Sequence, residues 1–247
     1  MWDKMLKNQS ELWLIWQNPF SRQRYHVGTL VHDASGYYFT YRTQGQRSVQ
    51  DALMDGYQPH LSFPDLNKVY QAPNLFAAFA RRLPDPRRSD FKTILSELGL
   101  PGDYTPMDLL NATGGRVATD TYEFVKPVET HFGEFAIEFY VAGWRYYDGD
   151  AVVGQLSNGQ TVNLKSERDN PRDGNAVVIL SLGNRKLGYV PAYYSWFMNE
   201  VIRTKSDFSA VVKEFNPNAD EKSKLRIEVR GRLRRNAPTF LSQLCAV

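Results

Sequence analysis

The amino-acid sequence predicts an α+β protein, and three patterns support this fold class. Apolar and polar side chains alternate along Glu134–Val141 and along Lys224–Arg234, which is typical of strands with one buried face. An apolar-periodic segment that starts at Pro191 indicates a helix between these strands, because proline suits the first position of a helix.

Length and composition allow two modest domains with their own cores. The chain has 247 residues, of which 42% are hydrophobic and 13% aromatic. Pro127 interrupts regular structure near the middle and marks a boundary, because the residue before a proline is driven away from helical geometry. We therefore predict one domain over residues 1–127 and a second over residues 128–247.

The first domain is predicted as a small mixed sheet with helices. Strand-like segments occur at Leu12–Trp16, Val27–Leu30 and Gly36–Tyr41. The later segments Leu75–Pro84 and Tyr104–Gly115 are helix-like.

In the second domain, three further strands are predicted at Val162–Lys165, Ala176–Leu180 and Lys186–Val190. The segment Asp169–Asn175 between the first two is dense in Asn, Asp, Pro and Gly, which favour a shaped turn. The helix that follows Pro191 is expected to turn these side chains inward: Trp196, Phe197, Val201 and Ile202.

The last predicted strand has one apolar face and one basic face. Its basic side chains include Arg226, Arg230 and Arg232, interrupted only by Glu228. Such a stripe can follow a phosphate backbone, which supplies most of the affinity in sequence-independent nucleic-acid binding. A solvated outer face of the sheet is the alternative interpretation.

A basic residue stands beside two aromatic residues in Arg145-Tyr146-Tyr147, followed by the turn signal Asp148-Gly149. An exposed tyrosine can stack on any base, and a neighbouring arginine can bind its phosphate. Alternatively, both tyrosines are packing residues with a buried ring and a solvated hydroxyl.

Three segments of the second domain resemble a HIRAN domain: Val141–Tyr147, Glu167–Ala176 and Arg185–Pro191. The resemblance implies an OB/SH3-like β-barrel of about six strands with one or two helices. Well-known members of that family bind the 3′ end of single-stranded DNA, so single-stranded DNA with a 3′-hydroxyl is the implied partner.

Residue by residue, the resemblance implies that Arg145 contacts phosphate, Tyr146 stacks on the terminal base and Asp173 accepts a hydrogen bond from the 3′-hydroxyl. A carboxylate suits this role because it accepts from a hydroxyl and repels a phosphate. DNA-end-binding members carry a tyrosine where this chain has Arg172, whose guanidinium can also stack. The remaining candidate contacts are Tyr147, Lys165, Asn170, Asn175, Lys186, Arg226, Arg230 and Arg232. A self-bonded turn without a ligand is the alternative for the Asn-Pro-Arg-Asp segment.

The first domain resembles, more weakly, the N-terminal subdomain of HipA-type kinases. The resemblance is carried by Val27-Gly-Thr-Leu30, by Leu61-Ser62, by the Leu75–Pro84 helix and by Thr121–Val125. The sequence has no Gly-rich phosphate loop and no kinase catalytic-loop pattern, so phosphoryl transfer is not expected. The resemblance implies an interaction module with a protein partner.

Charge and cysteine content restrict the protein further. The net charge is only +3, so an argument for nucleic-acid binding depends on where the charges lie. The single cysteine, Cys245, excludes an internal disulfide and suits a reducing compartment. No apolar run approaches the roughly 18 residues of a membrane span. We expect a cytoplasmic protein that does not bind membranes.

No catalytic or cofactor site is recognised in the sequence, so we expect a non-enzymatic protein without metal or cofactor. The four histidines lack metal-ligand spacing, and Asp85 with Asp90-Phe-Lys92 matches a nuclease cluster only superficially. Two alternatives to a DNA-end binder stay open. One is a regulatory interaction subunit of a toxin–antitoxin or defence complex, and the other is a nuclease with an unfamiliar site.

Overall fold

A computed structural model describes residues 9–147, 154, 156–221 and 223–234. The predicted turn Asp148-Gly149 and Cys245 lie outside these residues. The chain divides into two compact units, Met1–Pro127 and Val128–Val247, and each is α+β. In the described residues, no helix is both long and apolar enough to span a bilayer.

Unit 1 contains a five-stranded sheet and four helices. The sheet has the order β4-β3-β2-β1-β5. Its strands are β1 (Ser10–Gln17), β2 (Arg24–Asp33), β3 (Gly36–Tyr41), β4 (Tyr70–Ala72) and β5 (Tyr122–Val125). The helices are α1 (Val49–Met54), α2 (Ala77–Ala80), α3 (Phe91–Glu97) and α4 (Pro106–Thr113).

The predicted mixed sheet is wrong, because every strand pair in this sheet is antiparallel. Only Ala34 and Ser35 separate β2 from β3. A parallel pair requires a crossover of a dozen or more residues, so this connection can form only a hairpin.

Aromatic side chains form the core of unit 1. Phe39 of β3 lies 4.6 Å from Phe63 and 5.3 Å from Phe79, measured between ring centroids, and all three rings are buried. Phe63 is carried by a turn in which its backbone N–H donates to His60 O at 2.7 Å. Burial of several large rings supplies most of the hydrophobic stabilisation of such a unit.

Three arginines of the loop that follows α2 are paired with carboxylates. The Arg82 guanidinium donates to both carboxylate oxygens of Asp120, at 2.6 and 2.7 Å, and its side chain is buried. Arg87 and Arg88 pair with the nearby Asp85 and Asp90 at 2.7 Å each.

Among its described residues, unit 2 forms two antiparallel sheets, a 3₁₀ turn after β7 and a helix. The four-stranded sheet has the order β11-β12-β7-β6, and the three-stranded sheet has the order β10-β9-β8. The elements are β6 (Glu129–His131), β7 (Glu134–Tyr140), the 3₁₀ turn (Trp144–Tyr146), β8 (Asn163–Ser166), β9 (Val177–Leu180), β10 (Lys186–Tyr189), α5 (Ala192–Arg203), β11 (Asp207–Phe215) and β12 (Leu225–Arg232).

The closed barrel that the resemblance implied is not found among the described residues. The two sheets approach each other at both edges, where the isolated bridges Ala142↔Tyr189 and Thr161↔Val211 and a few backbone hydrogen bonds connect the segments outside the named strands. The strands of the small sheet are four residues each, whereas β11 has nine. These short strands cannot continue the hydrogen-bonded ladder along the whole edge.

The two alternating strands have the predicted faces. Phe135, Ile137 and Phe139 of β7 are buried, as are Leu225, Ile227 and Val229 of β12. Helix α5 covers this core through Phe197, whose ring lies 5.0 Å from that of Phe135. Of the four side chains predicted to turn inward, Phe197 and Val201 are buried, while Trp196 and Ile202 are half-buried.

Gly188 of β10 brings the segment after β7 close to the small sheet. A Cβ atom at this position would lie 2.5 Å from Ala142 O, and the residue has φ of 143°. Only glycine tolerates both the close approach and this backbone conformation. The bridge between Ala142 and Tyr189 therefore depends on Gly188, and it places the 3₁₀ turn beside β10.

Candidate nucleic-acid interface

The 3₁₀ turn presents Arg145 and Tyr146 to solvent from a buried anchor. Trp144 is 1% exposed and packs against Phe215 at 5.8 Å between ring centroids. Gly143 starts the turn with φ of 82°, a conformation that glycine adopts without strain. Because Trp144 is fixed in the core, the two following side chains emerge from a rigid base.

Tyr146 is the most exposed aromatic side chain of this turn, with 64% of its surface accessible. The Arg145 guanidinium lies 4.6 Å from the ring centroid and also donates a hydrogen bond to the Tyr146 hydroxyl. Arg145 forms a further ion pair with Glu221 at 3.7 Å. The turn therefore joins a cation to an aromatic face, the combination that can hold a base and its phosphate.

Tyr147 points towards the small sheet and is 37% exposed. Its ring meets the Tyr189 ring edge-on at 5.5 Å, and Lys186 Nζ lies 4.6 Å from its centroid. Lys186 Nζ is also 4.3 Å from the Tyr189 centroid. This ammonium group is therefore held between two tyrosine rings.

Glu167 joins Lys186, Tyr189 and Asn170. Lys186 Nζ donates to Glu167 Oε1 at 3.1 Å, and Asn170 Nδ2 donates to Oε2 at 2.8 Å. The Tyr189 hydroxyl also donates to Oε2. Partial burial opposes ionisation of Glu167, but these hydrogen bonds outweigh it and lower its pKa. Burial and the adjacent Glu167 raise the pKa of Tyr189.

The loop that carries Asp173 is built by its own side chains. Asn170 Oδ1 accepts from the backbone N–H of Arg172 at 2.9 Å and of Asp173 at 3.3 Å. Asp173 Oδ1 accepts from Asn175 N at 2.9 Å, and its Oδ2 accepts from Ser195 Oγ of α5 at 3.0 Å. The loop is therefore self-bonded, as the alternative interpretation held, and it is also tied to α5.

Among the other predicted site residues on this side of unit 2, Arg172 and Lys165 are exposed. Asn175 is half-buried, and its Oδ1 accepts from Asn199 Nδ2 at 3.4 Å. Asn175 thus shapes the contact between the loop and α5. Asp173 and Asn175 both interact with α5.

The basic face of β12 is interleaved with acidic side chains. Arg226 pairs with Glu138 at 2.7 Å, and Arg230 pairs with Glu228 at 2.8 Å. The hydrogen bond from Arg230 and the nearby Lys213 lower the pKa of Glu228 to about 2, against partial burial. Arg232 similarly lies 3.3 Å from Glu134. This face therefore has compensated charges, which favours a solvated outer face over a phosphate track.

Sequence reasoning overlooked Glu167 and Tyr189. Both stand in the segments that carry the family resemblance, but their spacing alone does not show that they meet. The antiparallel pairing of β8, β9 and β10 brings them together across the small sheet. A carboxylate three residues before Asn170 and a tyrosine three residues after Lys186 are the available sequence signal.

Comparison with known proteins links unit 2 to one domain family. Residues 134–234 match the HIRAN domain family model. No curated protein matches the chain.

Three solved structures match part of the chain. The crystal structure of the HIRAN domain of human HLTF has 17% identity and a TM-score of 0.37, and the match covers 47% of this chain and 93% of that one. A protein from Lactobacillus plantarum has 24% identity and a TM-score of 0.35, covering 41% and 100%. An NMR structure of the HLTF HIRAN domain in its DNA-bound conformation has 19% identity and a TM-score of 0.32, covering 46% and 85%.

The matched segment contains the 3₁₀ turn and the loop that carries Asp173. All twelve predicted contact residues lie within it. Residues 134–234 are thus the part of this chain that matches the HIRAN domain.

Proposed function

We propose that unit 2 binds single-stranded DNA at its 3′-hydroxyl end and that the protein acts without catalysing a reaction. In this proposal, Tyr146 stacks on the terminal base, Arg145 contacts phosphate and Asp173 accepts a hydrogen bond from the hydroxyl. The exposed Tyr146 ring beside Arg145 is the observation that carries the proposal. Stacking on such a ring tolerates any base, which suits a binder of DNA ends.

The loop geometry supports the role of Asp173. Both of its carboxylate oxygens have fixed protein donors, so the group is held in one orientation before a ligand arrives. A carboxylate oxygen has two lone pairs and can accept a further hydrogen bond. A preorganised acceptor loses little conformational entropy on binding.

The family match also supports the proposal. Residues 134–234 match the HIRAN domain family model, and the resemblance seen in the sequence implies a binder of single-stranded DNA ends. We further propose that unit 1 is an interaction module and that the protein serves bacterial phage defence or DNA maintenance.

Fluorescence anisotropy with a short labelled oligonucleotide tests this function. The 3′-hydroxyl oligonucleotide is compared with its 3′-phosphate form and with a blunt duplex, at two salt concentrations. We expect tight binding that is lost on 3′-phosphorylation. Equal binding to all three DNA ligands would indicate a cationic surface without end recognition. No binding to any of them would refute the proposal.

An interaction subunit without DNA-end recognition is the second candidate. Unit 1 exposes three large apolar side chains almost fully: Phe20 at 92%, Met54 at 82% and Leu61 at 95%. Exposed apolar side chains are typical of protein interaction sites when they form a patch. If the protein is an interaction subunit, neither the wild type nor its Tyr146→Ala and Asp173→Ala variants should bind DNA. If it is a DNA-end binder, the wild type should bind and the variants should not.

A further inference from the structure

Glu167 lies at the start of the loop that carries Asp173 and accepts several hydrogen bonds there, although it is not one of the predicted ligand contacts. Its side chain is 35% exposed and accepts hydrogen bonds from the three groups that surround it. Two of these donors, Lys186 and Asn170, were predicted to line the site. The third donor is Tyr189, whose ring also contacts Lys186 Nζ.

The carboxylate has an electrostatic effect through Lys186. The distance of 3.1 Å between Lys186 Nζ and Glu167 Oε1 places opposite charges in direct contact. The Lys186 side chain is only 25% exposed, so the pair is less screened than a surface pair. A phosphate that approaches this cluster therefore meets a compensated ammonium group.

The carboxylate also has a positional effect through Asn170. Glu167 Oε2 and the Tyr189 hydroxyl both accept from the Asn170 amide nitrogen, and this orients the amide oxygen that holds the backbone of Arg172 and Asp173. These hydrogen bonds connect Glu167, which follows β8, through Asn170 to Asp173. Asp173 is the residue proposed to accept from the 3′-hydroxyl. Loss of the first bond loosens the remainder of the loop.

We propose that Glu167 is a positioning and specificity-determining residue, which orders the Asp173 loop and cancels the charge of Lys186 so that a hydroxyl end is bound in preference to a phosphate end. This inference rests on the proposed DNA-end function. Specificity is the difference between the affinities for the 3′-hydroxyl end and the 3′-phosphate end. Because the charge of Lys186 is compensated, this lysine attracts a 3′-phosphate less strongly.

The Glu167→Gln variant tests the proposal by anisotropy. The glutamine has nearly the same size but no charge. We expect affinity for the 3′-hydroxyl oligonucleotide to fall about tenfold, as for the loss of one charge-assisted hydrogen bond. Affinity for the 3′-phosphate oligonucleotide should stay equal or rise, and the salt slope should steepen by about 1 because one more cation is available to phosphate.

Glu200→Gln is the matched control. Glu200 lies on α5 of the same unit and pairs with Arg203 at 2.7 Å, so this variant also removes one acid from an ion pair. It should leave the ratio of hydroxyl to phosphate affinity unchanged. If Glu167→Gln keeps the wild-type ratio and salt slope, or if Glu200→Gln alters them equally, the proposal is wrong.

A double variant isolates the part played by Lys186. Adding Lys186→Gln to Glu167→Gln should restore the shallower salt slope, because the uncompensated charge is gone. Persistence of the steep slope would overturn the charge argument.

Amide hydrogen exchange separates failure of this inference from failure of the proposed function. Absence of hydroxyl preference in the wild type would refute DNA-end recognition, and with it the specificity role. The positioning role has an independent readout in alanine variants, which lack any side-chain acceptor: faster exchange of the Arg172 and Asp173 amides in Glu167→Ala than in Glu200→Ala supports it, and equal exchange refutes it.

Discussion

Replacement of Tyr146 by alanine should weaken DNA binding while leaving the fold intact. The ring is 64% exposed, so its removal deletes little buried apolar surface and should hardly change the melting temperature. Stacking of a base on an aromatic side chain contributes about 1–3 kcal/mol. Arg145 already covers one face of this ring, at 4.6 Å from its centroid, so a base can stack on the other face only.

One stacking face corresponds to the lower part of that range, about 1–2 kcal/mol, or about a 5- to 30-fold rise in Kd. Anisotropy against poly-dT and poly-dA oligonucleotides of equal length measures this change. Because stacking does not read base identity, the loss should be similar for both. Tyr146→Phe is the matched control, since it keeps the ring and loses only the hydroxyl bonded to Arg145.

Two results would refute this reasoning. One is a Tyr146→Ala variant with unchanged Kd, which would show that no base stacks there. The other is a Tyr146→Phe variant as weak as the alanine variant, which would assign the effect to the hydroxyl and its arginine.

Four further predictions concern stability and charge. The Tyr57 hydroxyl is buried without a hydrogen bond among the described residues, so Tyr57→Phe should stabilise unit 1 by about 1 kcal/mol in urea unfolding. Tyr41→Phe should instead cost about 1–3 kcal/mol, because the Tyr41 hydroxyl both donates to and accepts from the backbone; an equal response of the two variants would contradict this. Burial holds the pKa of His26 well below its usual 6.5, so only the unfolded chain gains a proton as pH falls. Stability should therefore decline as the pH falls below about 6.5, by at most about 1.4 kcal/mol per pH unit for this one group, and His26→Gln should flatten that decline; an unchanged slope would rule out this residue. Arg230→Gln should change the salt slope of DNA binding by well under the ~1 expected for a phosphate contact, because Arg230 is paired with Glu228; a change near 1 would show that the pair opens to bind DNA.

Local sequence patterns determined much of unit 2. The alternation along β7 and β12 predicted which side chains are buried, because a strand projects successive side chains to opposite faces whatever its partners are. Pro191 predicted the start of α5 to within one residue: it was expected as the first helical residue, and it stands immediately before Ala192, where the helix begins.

Properties that depend on pairing across the sheet were decided by the tertiary structure. The basic stripe of β12 was correct as a pattern, but its neighbour β7 places Glu134 and Glu138 against Arg232 and Arg226. One strand cannot reveal the charge of the strand beside it. In unit 1 every strand pair is antiparallel, and a mixed sheet was wrongly predicted there.

The candidate site also combines features that the local sequence predicts with features that depend on the tertiary structure. The sequence identified the aromatic turn and the Asn/Asp-rich loop, because both are contiguous segments whose chemistry can be read locally. It did not identify Glu167 and Tyr189 as partners of Lys186, since their side chains meet only after β8, β9 and β10 pair. Close packing at Gly188 then sets Tyr147 beside Lys186, a contact between segments far apart in the chain. The sequence alone thus determined the residues available to bind DNA, and the tertiary structure decided which of their charges are compensated, because an ion pair depends on distance in space.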